Sequence, residues 1–172
     1  SSYRLITMLT QLRRPIHLSF SVDGLLISEL ETVGTLYQRD RDRYHLVLTE
    51  PLVMDWEMRS QVVESAISTL VATAIPTPRL LWIEFSPYRV TMTMQGNGQF
   101  SYRHLFEPGV LGLSRYFLQD DLQPNREFRL RNFTRNLHMK GNPLPSYLLL
   151  EYELRCDRLQ LGQYTLSLEI HH

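Results

Sequence analysis

The 172 residues, 43% hydrophobic and 21% charged with 18 basic and 18 acidic groups in balance, fit one globular domain that buries about 70% of the surface its unfolded chain exposes. That composition excludes a wholly disordered chain. Zero net charge removes any global attraction to nucleic acid or anionic lipid but leaves room for a local patch.

Residues 3 to 12 carry Leu5, Leu9 and Leu12 at helical spacing behind Ser1 and Ser2, which predicts a short amphipathic helix ended by Arg13, Arg14 and Pro15. Leu18, Phe20 and Val22 then alternate with serines, and Asp23-Gly24 leads into Leu25 to Leu30. This is a strand, a tight turn and a second strand, because Asp-Gly supplies the positive backbone angles of a two-residue hairpin. Arg39, Arg41 and Arg43 alternate with Asp40 and Asp42 between two apolar runs, the pattern of a solvated hairpin tip.

From about Asp55 to Ala74 the stripe Val63, Ile67, Leu70 and Ala74 predicts one long amphipathic helix placed to cover a sheet. Pro76 and Pro78 end it and mark a weak domain boundary. Leu80 to Phe85, apolar except for Glu84, suits a central strand covered on both faces. Val90, Met92 and Met94 and then Phe100, Tyr102 and His104 flank Gly96-Asn97-Gly98 as a hairpin.

Val110 to Leu118 is expected to be a short helix after Pro108-Gly109. Arg126 to Lys140 is a strand in which Phe128 and Leu130 have one parity and Phe133, Leu137 and Met139 the other, so a bulge is expected near Arg131-Asn132. A terminal hairpin follows, with Leu148 to Cys156 and Tyr164 to Ile170 alternating and Gly162 absorbing a register change. Together these elements predict a single α+β domain over 1–172. It would be a mostly antiparallel sheet built from hairpins, packed against the 55–74 helix with one or two short helices beside it.

Chemistry is sparse. The single cysteine, Cys156, forms no internal disulfide and sits at an inward strand parity, which points to a reducing, cytoplasmic setting and a core thiol. No apolar run approaches the roughly 20 residues of a membrane-spanning helix, and no charged-then-apolar leader opens the sequence. The Ser1-Ser2 start fits a processed or truncated chain. His17, His45, His104, His138, His171 and His172 are scattered, so no metal site and no cofactor motif is expected. Ser114 lacks the second glycine and preceding strand of a nucleophile elbow. Glu84 interrupts an apolar strand and needs a partner if buried.

Arginine supplies 17 of the 18 basic groups, Lys140 being the one lysine. Either the planar guanidinium fork is used as such or the usage reflects composition bias. In the strand 126–140, Arg129, Arg131 and Arg135 share one parity around Phe133, the residue types that grip phosphates while a base stacks; paired glutamates across a sheet explain the same pattern without a ligand. The functional expectation is a non-catalytic protein-interaction or regulatory module, acting on another protein or on itself as a homo-oligomer, with Arg39, Arg41 and Arg43 and exposed strand edges as further contact surfaces. Two alternatives stand beside it: a single-stranded nucleic-acid binder using Arg129, Arg131, Phe133 and Arg135, and a small enzyme with a site assembled from groups such as Glu84, Tyr102 and His104.

Overall fold

The computed structural model describes residues 11–49, 80–95, 100–118 and 126–172. Ten strands run in chain order: β1 (Gln11–Val22), β2 (Leu25–Gln38), β3 (Tyr44–Thr49), β4 (Leu80–Phe85), β5 (Val90–Gln95), β6 (Phe100–Phe106), β7 (Leu111–Leu118), β8 (Arg126–Lys140), β9 (Tyr147–Cys156) and β10 (Leu159–Ile170). Each pairs antiparallel with its neighbours in sequence, and β10 pairs back onto β1, so the sheet closes into an up-and-down barrel.

This corrects the expected α+β layout. The described residues are all-β, because the alternating hairpins fold onto themselves instead of onto a helix. The 55–74 segment lies outside the described residues, as does most of the expected N-terminal helix, whose last residues Gln11 and Leu12 open β1. Closure also removes the exposed strand edges expected as contact surfaces: every described strand has a partner on both sides.

One face of every strand fills the interior. Leu18, Leu46, Leu81, Ile83, Leu150 and Leu168 are fully buried there, while charged and polar residues such as Glu29, Arg103, Arg129 and Gln163 point outward and are exposed. An apolar inside and a charged outside is the reverse of a barrel that faces lipid. No helix among the described residues is long and apolar enough to cross a membrane.

Three local expectations change with this geometry. Residues 111–118 are a strand: Gly112, Ser114 and Tyr116 turn inward and Leu113, Arg115 and Phe117 outward, so the alternation is real but its inward members are not aliphatic. The register of β8 shifts between Thr134 and Asn136, not at Arg131-Asn132. Asn132 and Thr134 keep the inward parity of Leu130, leaving Phe133 outside. In β4, Leu81, Ile83 and Phe85 face in while Glu84 is exposed, so that strand is covered fully on one face only.

Other features follow the sequence closely. Asp23 and Gly24 have φ of 50° and 82°, the left-handed pair of a tight hairpin. The Asp23 carboxylate accepts the Gln163 amide at 3.0 Å and the Asp23 amide donates to the Gln163 carbonyl at 2.8 Å, stitching the tip onto β10. The register of β10 against β9 shifts between Gln160 and Gly162.

Candidate functional site

Residues opposite each other on adjacent strands point to the same face, and closure of the barrel aligns the arginines that way. Arg103 on β6 lies opposite Arg115 on β7, and Arg115 opposite Arg129 on β8. Two residues along β8, Arg131 lies opposite Arg155 on β9. The bulge places Arg135 on the same outer face. Like charges directly opposite destabilise a sheet pair, so these rows need counter-charge.

Two carboxylates supply part of it. Glu127 accepts from Arg115 Nε at 2.6 Å and from Arg129 Nε at 3.0 Å, and these hydrogen bonds pull its carboxyl down to about 2. Glu153 is 2% exposed and is clasped by Arg135 and by Arg155, the latter at 3.0 Å. Burial alone would raise the Glu153 pKa; the guanidinium hydrogen bonds of Arg155 and Arg135 outweigh it and lower it. Arg155 lies over the Phe133 ring at 5.6 Å from the centroid, and Arg115 over Phe117 at 5.1 Å.

Arg103 and Arg131 are exposed and make no ion pair among the described residues. Six arginines and Lys140 against Glu127, Glu151 and Glu153 leave this face of β6–β9 with a local charge of +4. Sequence reading found Arg129, Arg131, Phe133 and Arg135, which the structure does bring to one face. It missed Arg103, Arg115 and Arg155, which lie far away in sequence and join the patch through strand pairing.

Arg39, Arg41 and Arg43 do not join it. They form the tip between β2 and β3, on the opposite side of the ring, where Arg43 pairs with Asp40 at 3.1 Å and the Tyr44 hydroxyl donates to the Arg41 carbonyl at 3.3 Å. The enzyme grouping is also dispersed. Glu84 lies outside, 3.3 Å from His45, while His104 and Tyr102 lie inside. Cys156 keeps inward parity but stands at the end of its strand, past the packed core, and is exposed.

The interior contains a second assembly that sequence reading left out. His104 Nδ1 and Ser114 Oγ are 2.6 Å apart, and Asn132 Nδ2 donates to the same Ser114 oxygen at 2.8 Å. All three are buried, and burial drives the His104 pKa down to about 3, so the ring is neutral at pH 7. Among the described residues no carboxylate hydrogen-bonds to the imidazole, and the arrangement is a neutral hydrogen-bonded chain. Gly112 makes it possible: a Cβ there would lie 2.5 Å from Asn132 Oδ1 and 2.1 Å from the Leu105 carbonyl oxygen.

Among the described residues no group of three or more His, Cys, Asp or Glu is placed to hold a metal ion. No protein-family model and no curated protein matches the sequence. The fold is similar to the crystal structure of the ywiB protein from Bacillus subtilis, with a TM-score of 0.57 at 13% identity over 95% of this chain and 93% of that one.

Proposed function

We propose that this barrel is a non-catalytic interaction module of a reducing, cytoplasmic compartment, and that its working surface is the arginine face of β6–β9, which docks an acidic segment of another protein. The observation that carries the reading is the in-register stacking of Arg103, Arg115 and Arg129 beside Arg131 and Arg155. A sheet surface chosen for stability alone would alternate charge across strands. Here the repulsion is left partly uncompensated, and a bound anionic chain would relieve it.

The two glutamates already on the face support carboxylate as the preferred group. Glu127 and Glu153 each accept from two guanidinium groups, the fork geometry that suits a carboxylate. A second copy of this chain does not fit. A two-fold pair built on this face would set arginine against arginine. Single-stranded nucleic acid remains the competing reading, since a guanidinium also grips phosphate and stacks on a base. Phe117 and Phe133, however, already carry Arg115 and Arg155 over their rings, so a base stacking on either would have to displace a guanidinium.

The test is fluorescence anisotropy of the full chain with a labelled twelve-residue glutamate-rich peptide and with labelled oligo-dT and oligo-U, at low and moderate salt. The peptide binds, weakens as salt rises, and is lost in the Arg103→Gln/Arg131→Gln variant. Binding of the oligonucleotides without the peptide replaces this reading by the nucleic-acid one. Binding of neither removes the face as a docking surface.

A further inference from the structure

The arginine face is not uniformly polar. Two residues along the same strands, on the same outer side, Arg103 gives way to Leu105 on β6, and Arg115 to Leu113 and then Leu111 on β7. Leu113 lies opposite Arg131 on β8 and Leu111 opposite Phe133. Leu105 sits beside them, one residue past the His104–Ser114 pair, with its carbonyl oxygen against Gly112. Val110 continues the strip into the β6–β7 turn, where its amide donates to the Glu107 carbonyl at 3.2 Å. Leu111 is 52% exposed, Val110 48% and Leu105 38%.

A lone leucine on a surface needs no explanation, whereas a contiguous apolar strip with a charged rim does. Arg103 and Arg115 border this one at one end; Arg131, and the Phe133 ring with Arg155 over it, border it along one side. Closure of the barrel leaves no described strand free to cover it. Threonine at these outward positions would keep the strand pairing without exposing apolar surface.

The strip and the arginines form one surface because they share strands and period. Outward positions recur every two residues, about 7 Å along a strand, and an extended chain has the same repeat. A segment lying along β7 therefore sets one side chain over the Arg103–Arg115–Arg129 row. The next but one falls over Leu105 and Leu113, and the next but one again over Leu111 and Val110. The barrel wall curves away across the strands, which favours contact along a strand over contact across several. Guanidinium groups select a carboxylate for the first position, and burial of apolar area selects large aliphatic side chains for the other two. A lipid surface fits less well. Arginine side chains are longer than the leucines between them, so headgroups would meet guanidinium first and hold the leucines short of the acyl chains.

We propose that the partner of this surface is an extended segment of the form acid–x–apolar–x–apolar, with its carboxylate on the arginine row and its two aliphatic side chains on the strip of Leu105, Leu113, Leu111 and Val110. The inference rests on the arginine face being the docking surface, and it adds what selects among acidic segments.

The test is fluorescence anisotropy of the full chain with three labelled twelve-residue peptides of equal charge. One contains glutamate and serine only, one has two leucines placed two residues apart, and one has them three apart. The two-apart peptide binds about tenfold tighter than the glutamate–serine peptide. The three-apart peptide gains no more than about threefold, since only one leucine then reaches the strip. All three weaken as salt rises, while the ratio between them holds. In Leu105→Ser/Leu111→Ser the two-apart peptide falls to the affinity of the glutamate–serine peptide. Equal affinity for all three peptides, or an equal gain at both spacings, overturns this inference and leaves the arginine reading standing. Binding of none overturns both, and so does a leucine gain without salt dependence. Capture of the chain by phosphatidylserine vesicles, with no leucine gain among the peptides, gives the strip to a lipid surface instead. The peptide series on the unmodified chain decides the question even if the double variant fails to fold.

Discussion

Acid should weaken this fold through His104 well before its carboxylates protonate. The ring is buried, hydrogen-bonded to Ser114 and held neutral, with its pKa down at about 3 against an ordinary 6.5. Below pH 6.5 the unfolded chain takes up a proton that the folded chain refuses, so folded stability falls as pH falls from 6.5 toward 3. At about 1.4 kcal/mol per unit, lowering the pH from 7 to 5 removes about 2 kcal/mol through this one residue. The chosen window lies above the range in which Glu127 and Glu153 matter: their folded pKa values are lowered, so their contribution is intact above the ordinary carboxyl value of 4.5 and fades only below it. His45, also shifted downward chiefly by burial, adds a contribution of the same sign. Urea unfolding at pH 7 and pH 5, on the parent chain and on His104→Gln, separates the two. The parent loses about 2 kcal/mol more than the variant between these pH values. An equal loss in both chains, or an NMR titration of the His104 ring near pH 6.5, refutes the burial argument.

Other consequences are as direct. Gly112→Ala forces a Cβ against the Leu105 carbonyl and Asn132 Oδ1 and should cost about 1–3 kcal/mol by thermal or urea unfolding. Shortening Asn132 to alanine in the same chain does not recover the loss, because the backbone contact remains. Glu153→Gln leaves Arg135 and Arg155 facing each other over a buried amide. A loss of about 1–3 kcal/mol is expected, below that of a fully buried pair because both guanidiniums are partly exposed. Cys156 is exposed, so a thiol reagent should label the native chain stoichiometrically without denaturant; labelling only after unfolding would return this thiol to the core.

The local pairing of strands was more legible than their global arrangement. Asp23-Gly24, the alternation of Val90 to Met94 against Tyr102 and His104, and the terminal hairpin are short-range patterns with a turn residue to fix the register, and they stand where the sequence places them. Closure is not short-range. Nothing in residues 16–22 or 164–170 states that they pair with each other, and a sheet covered by a helix and a sheet curled on itself bury the same alternating face. The stretch 111–118 shows why hydrophobicity misleads. Its inward residues Gly112, Ser114 and Tyr116 pack around the buried His104–Ser114–Asn132 chain, so their period does not read as apolar. Phe133 misleads in the opposite sense: an aromatic residue is assigned inward by habit, but its ring lies outside beneath the Arg155 guanidinium. The candidate site was half visible for the same reason, since Arg129, Arg131 and Arg135 share a strand while Arg103, Arg115 and Arg155 meet them only across it.

The seam between β1 and β10, with Ile16 opposite Ile170, ties the order of synthesis to the danger of misassembly. A nascent chain lacking its last strand carries two open borders, each ready to recruit a neighbouring polypeptide. Contacts so remote in sequence also make folding slow, on the scale of milliseconds to seconds. The interval in which this ribbon is sticky therefore ends only when the final hairpin arrives, and shortening the chain by that hairpin should make it aggregate.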